Sequence, residues 1–288
     1  MKYGKTAIKI LVTLGLLYLV TRRIDIDAIW NSIKSAGWWF LLAAFLMYTL
    51  SRILGAERLR LMLRAQSIRI SVRANLRFYW ISMFYGMFLP GGIGADAYKV
   101  YYLKKNYTGH STLSLTKIML WDRLIGLGAL LLLALLPALI LVLGPLWSWL
   151  WVPALLLELF ILRWAIGYWM PILVAVHQKL FWISILIQLA QIASIVFLME
   201  AIGISDHYLE YTLVFLASSL ASMLPVSIGG VGIRELTFLY GSQFLGTSEA
   251  HSVASGFLFN VLVTALALTG CLFLFGKEPV IPDSSPKE

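Results

Sequence analysis

The chain has 288 residues, of which 60% are hydrophobic and only 13% charged, and its mean hydropathy is +0.84. Soluble domains carry about 45–50% apolar and about 25% charged residues, so this composition excludes a soluble globule and places the chain in a lipid bilayer. The net charge of +9 lies beside apolar segments, where it reads as loop charge facing anionic lipid rather than as a nucleic-acid surface.

A spanning helix needs about 20 apolar residues. Six segments meet that need, at approximately 5–21, 37–56, 111–136, 146–168, 180–203 and 250–275. The first carries Lys2, Lys5 and Lys9 ahead of its apolar run and Thr21-Arg22-Arg23 behind it. With no small-residue cleavage site, it reads as a retained helix rather than a signal peptide. The expected fold class is all-α, a polytopic membrane domain over 1–276. The polar stretch 277–288, with Pro282 and Pro286, is expected to be a disordered cytoplasmic tail.

Two further apolar segments are interrupted. Residues 78–90 break at Leu89-Pro90-Gly91-Gly92-Ile93-Gly94 and resume through Leu103. Residues 206–224 break at Pro225, followed by Gly229, Gly230 and Gly232, and resume through Tyr240. Proline and clustered glycine stop a helix. Backbone groups freed in this way are tolerated in a membrane only where protein buries them or water reaches them. Each pair therefore reads as a re-entrant helical hairpin. The competing reading is that the Pro-Gly stretches join ordinary helices, since residues 206–224 alone are long enough to span.

Loop charge supports the hairpins. Residues 52–77 carry seven arginines against Glu57, and residues 99–117 carry four lysines and no acid. Both are expected on the cytoplasmic side. Asp206, Glu210 and Glu249 around the second break fit the outside. With both termini cytoplasmic, the first hairpin enters from within and the second from without, giving an inverted repeat of the kind found in secondary transporters. The arginines of 52–77 alternate with apolar residues, a mixture that suits a stretch lying on the inner leaflet. Trp38, Trp39, Trp147, Trp149 and Trp151 read as interfacial anchors.

Charges within a membrane are costly and mark function. Asp96 and Lys99 follow the first break at a spacing that shares one helix face. Arg234 and Glu235 follow the second on adjacent positions, pointing differently. A glycine-rich helix start offers backbone N–H groups and partial positive charge to a phosphate. Gly91, Gly92 and Gly94 at one tip and Gly229, Gly230 and Gly232 at the other would allow close approach. Lys99 and Arg234 would bind an anion, while Asp96 and Glu235 would orient them or carry a coupling proton. Asp122 and Arg123 either reach this site or cap the inner end of their helix. The bland alternatives are a local Asp96–Lys99 pair at the interface and a structural role for Arg234. The four histidines and the single Cys271 show no ligand spacing and no Walker A motif is present, so neither metal nor cofactor is expected.

Three stretches together resemble a known family. They are Leu89 through Asp96, Trp121-Asp122-Arg123-Leu124, and Pro225 through Gly232-Ile233-Arg234-Glu235. In this order the chain is similar to the lysylphosphatidylglycerol synthase transmembrane-region family, also called flippase-like integral membrane proteins, from about 40 to 275. The resemblance implies an inner-membrane protein that moves a lipid between leaflets. In bifunctional members a soluble aminoacyl-transferase domain follows this module. No such domain occurs in these residues, so the synthase activity does not carry over. Ala95 stands where glycine is common, and Lys99 where arginine is common. The charge at 99 survives but not bidentate phosphate binding.

The resulting expectation is a non-enzymatic lipid flippase with an anionic phospholipid or polyprenyl-phosphate-linked molecule as substrate. The alternatives are a membrane enzyme acting on lipid headgroups, and a scaffold for a lipid-synthesis partner protein.

Overall fold

The structure, a computed structural model, describes residues 36–88, 92–107, 109–224 and 232–274. Among them there is no strand, and the α-helices are α1 (Trp38–Ala65), α2 (Val72–Gly86), α3 (Ile93–Asn106), α4 (Thr112–Leu143), α5 (Trp151–Trp169), α6 (His177–Ala201), α7 (Tyr208–Met223), α8 (Ile233–Leu245) and α9 (Glu249–Thr269). Short 3-10 turns at Pro145–Leu150 and Pro171–Val176 flank α5, and another at Gly270–Phe273 follows α9. The chain is an all-α polytopic membrane protein. Five stretches are long and apolar enough to cross a bilayer: Trp38–Ala65, Thr112–Leu143, Pro145–Trp169, Pro171–Ala201 and Glu249–Phe273. The expected first span at 5–21 and the tail at 277–288 lie outside the described residues, as do Pro90, Gly91, Pro225, Gly229 and Gly230.

Local chemistry sets several boundaries. Ser71, Ser111 and Ser248 cap α2, α4 and α9 by accepting the N–H groups of Ala74, Ser114 and His251. Gly92 and Gly232 precede α3 and α8 at φ 67° and 85°. A residue with a Cβ rarely adopts such a backbone, which explains glycine where each interrupted segment resumes.

Two boundaries differ from expectation. The first described helix does not stop near residue 56 but continues to Ala65. Half of the arginine-rich stretch thus belongs to a spanning helix instead of lying along the membrane surface. Residues 206–224 are also shorter as a helix than they read. At 16 residues, α7 is about 24 Å long at 1.5 Å per residue, short of the roughly 30 Å hydrocarbon core. The other three of these helices, α2, α3 and α8, have 13 to 15 residues.

The most extensive helix contact joins α1 to α6. Small buried residues contribute to it, Ala44 from α1 and Ser184 and Ser194 from α6. Small side chains let helix backbones approach where lipid offers no hydrophobic drive. The Ser194 hydroxyl donates to the Ala44 carbonyl at 2.8 Å across this interface. Around this pair, α2 packs on α3 and α7 on α8. Each second helix of a pair packs on the next long helix, α3 on α4 and α8 on α9. Contacts also cross over: α4 packs on α7, and α9 on α2. The contacts of α1–α4 thus have counterparts in α6–α9, element for element. Among the described helices α5 alone stands outside the correspondence, with Leu162 and Ile166 its buried residues.

Candidate functional site

Where these helices converge there is a cavity of about 340 Å³. Its lining includes Arg52 and Arg58 from α1, Gly92, Asp96 and Lys99 from the start of α3, Asp122 and Arg123 from α4, and Arg234 from α8. Among the described residues, five cations therefore face two carboxylates. Gln188 and Gln191 of α6 and Ser219 of α7 add neutral polar groups. Such a concentration of charge within membrane-spanning helices persists only where the groups pair or meet a polar ligand.

Three of the cations are paired. Arg58 Nε donates to Asp122 Oδ1 at 2.8 Å, and its Nη1 to the Ser184 hydroxyl at 2.8 Å. Gly126, one turn past Asp122, makes room for this. A Cβ there would meet the Arg58 guanidinium at 3.1 Å. Asp96 takes two partners. It accepts from Arg123 Nε, and Lys99 Nζ lies 3.6 Å from its other oxygen. Lys99 also stands 4.9 Å over the Tyr79 ring. The Asp96–Lys99 spacing thus yields a contact within α3, and Asp96 additionally ties α3 to α4.

The other two differ. Among the described residues, neither Arg52 nor Arg234 has a carboxylate within ion-pair distance. Arg52 Nε donates to the neighbouring Ser51 hydroxyl at 3.1 Å, and its guanidinium lies 4.9 Å over the Tyr48 ring. Arg234 donates to Asn260 Oδ1 at 3.1 Å and to the Ser218 hydroxyl at 3.0 Å, and lies 4.9 Å over the Phe259 ring. Tyr48 and Phe259 themselves meet edge to face at 5.4 Å. Two arginines held by neutral groups thus stand on one aromatic pair at the wall of one cavity.

Glu235 points elsewhere. It is buried, and its Oε2 accepts the Gly232 N–H at 2.7 Å, while Oε1 accepts from Asn260. The carboxylate therefore closes the first turn of α8 and, through Asn260, steadies Arg234 from behind. Neither Glu235 nor Gly232 lines the cavity. Gly94 is buried within α3. Gly92 does line it, 3.2 Å from Arg123 by the position a Cβ would take.

Arg52 and Arg58 are the site residues that a reading of loop charge passes over. Tyr48, Arg52, Gly55 and Arg58 recur at spacings of three and four, and that periodicity is the signal that brings them to one side of α1. Arg163 lies in a separate groove with Phe160, Trp164 and Tyr168. Glu200 accepts the Tyr208 hydroxyl near the end of α6. Trp38, Trp39, Trp147 and Trp149 are exposed, whereas Trp151 is half-buried and donates to the Leu132 carbonyl. Among the described residues no group of three His, Cys, Asp or Glu side chains could hold a metal.

A second hollow of about 810 Å³ lies between α3 and α4 and shares Asp96 and Arg123 with the cavity. The model of the family described as lysylphosphatidylglycerol synthase TM region matches residues 6–181 and 178–271. A search of curated proteins found no match. The match covers nearly all of the sequence that builds the cavity, and the chain belongs to the lysylphosphatidylglycerol synthase TM region family.

Proposed function

We propose that this protein moves an anionic, phosphate-bearing lipid between membrane leaflets. Its headgroup occupies the cationic cavity while its chains stay in the bilayer. The observation that carries this reading is the pair of carboxylate-free arginines, Arg52 and Arg234, lining one cavity. Neither guanidinium touches a carboxylate, Asp122 and Glu235 acting on them only from farther off, and an arriving phosphate supplies a direct, charge-assisted partner. The guanidinium fork suits that role geometrically. Either a phosphatidylglycerol derivative or a polyprenyl-phosphate-linked sugar has the required chemistry.

In this reading the short helices α2–α3 and α7–α8 form re-entrant hairpins entering from opposite faces. The element-for-element contacts of α1–α4 and α6–α9 support an inverted repeat, and rocking of its halves would expose the cavity to each leaflet in turn. Loop charge favours cytoplasmic termini, and membership of the family suggests an inner-membrane location. Substrate leaves chemically unchanged. Asp96 and Glu235 are each engaged, one by Arg123 and Lys99 and the other as a helix cap, which argues against an acid–base pair.

The test is translocation of labelled phosphatidylglycerol, and separately of a polyprenyl-phosphate lipid, in proteoliposomes. The parent protein should move at least one of them. Arg52→Gln and Arg234→Gln should each slow transport about tenfold or more, as expected for loss of a charge-assisted contact. Translocation unaffected by both substitutions would dismiss the site, and recovery of a chemically altered lipid would make the protein an enzyme.

A further inference from the structure

The hollow between α3 and α4 is larger than the cavity and differs from it in kind. Its walls are mostly apolar, with Ile93, Ala97, Val100 and Tyr101 facing Met119 and Leu120. Several of these side chains are exposed: Ile93, Tyr101 and Leu120 are each about half or more uncovered. In a membrane protein such a trough faces lipid.

Its two ends are charged. Lys104 and Lys105 sit at one end beside Thr112, where α3 closes toward α4, and Lys104 Nζ donates to the His110 carbonyl at 2.9 Å. Asp96 and Arg123 sit at the other end and also line the cavity. Eight residues of α3 separate Asp96 from Lys104, about 12 Å along the helix. A basic end beside a connecting turn, an apolar trough, and a deep end opening on a cationic cavity match one occupant. That occupant is an anionic lipid in its ordinary leaflet orientation, headgroup at the lysines and chain along the trough.

Resting on the transport reading above, we propose that the α3–α4 groove is a loading site for an anionic phospholipid. Lys104 and Lys105 receive its phosphate, Val100, Tyr101 and Leu120 seat one acyl chain, and the Asp96–Arg123 pair is the threshold across which the headgroup passes into the cavity. At that threshold the phosphate replaces Asp96 on Arg123, exchanging one anion for another without stranding either charge.

The full-length protein, in nanodiscs of phosphatidylcholine with a minor fraction of phosphatidylglycerol bearing a photoreactive acyl chain, provides the test. Crosslinks should map to Val100, Tyr101 and Leu120. Each lysine near an anionic lipid surface contributes roughly a fivefold gain, so Lys104→Gln with Lys105→Gln should lower crosslinking about tenfold or more. Leu120→Trp, at an exposed position, should fill the trough and remove most of the signal. Binding of soluble glycerol 1-phosphate, which reads the cavity alone, should be unchanged in both variants. A photoreactive phosphatidylcholine that crosslinks equally well, or crosslinks only outside the groove, would overturn the loading site and leave the cavity reading intact. A parallel fall in glycerol 1-phosphate binding would also overturn it, because groove and cavity would then be one site. Groove crosslinks without any glycerol 1-phosphate binding in the parent protein would uphold the loading site and remove the cavity from the mechanism.

Discussion

Two regions of the cavity wall handle positive charge in opposite ways. Toward α3 and α4, Arg58, Lys99 and Arg123 are answered by Asp122 and Asp96. Around the Tyr48–Phe259 ring pair, Arg52 and Arg234 touch only hydroxyl, amide and aromatic groups, with Asp122 and Glu235 acting from farther off. In the first arrangement every cation touches a carboxylate, and the contacts knit α1, α3, α4 and α6 together. The second is incomplete, and it holds cations ready for an anion from outside the chain. Structural and receptive charge can thus stand side by side in one hollow, distinguished by what each touches.

Four substitutions probe this contrast through stability in detergent. The largest effect should follow Asp122→Ala, which strands the Arg58 guanidinium in a buried position. Breaking such a pair costs about 3–5 kcal/mol, and thermal unfolding should show the loss. Restoring neutrality with Arg58→Met in the same chain should recover most of it. A smaller cost, about 1–2 kcal/mol, should follow Gly92→Ala, because a side chain there must adopt the left-handed conformation and crowds Arg123. Smallest of all should be Arg234→Met, leaving stability within about 1 kcal/mol of the parent or above it, since it removes a buried charge kept at the expense of the fold. A loss from Arg234→Met as large as that from Asp122→Ala would erase the distinction between the two regions.

Much of this is legible in the sequence. Apolar run lengths identify the membrane class and the described spans, and the glycine clusters mark where helices restart. Asp96, Lys99, Asp122, Arg123 and Arg234 attract notice as charges among apolar neighbours, and the structure brings all five to one cavity. Arg52 and Arg58 escape for a physical reason. A run of arginines carries two signals at once, loop topology and the polar face of a helix, and counting charge sees only the first. Glu235 hides a cap in the same way. Its spacing of three from Gly232 is that of a helix-closing carboxylate, but a carboxylate beside an arginine in an apolar context draws attention to chemistry first. What no pattern in one sequence can show is the pairing of α3 with α4 that opens the groove, because it depends on distances between helices.

The looseness of α5 has a consequence for how this chain can vary. Only 6% of its most apolar window is buried inside the protein, against 50% for the stretch containing α6. A segment so little enclosed is shaped chiefly by its solvent, and here the solvent is hydrocarbon. One greasy side chain can stand in for another along it, aromatic for aliphatic, provided oiliness and length persist. Its neighbour α6 has no such latitude, because small buried side chains there, Ser184, Ala190 and Ser194, fit against facing helices. Drift in sequence should therefore pool in the outlying helix and leave the inner ones comparatively still.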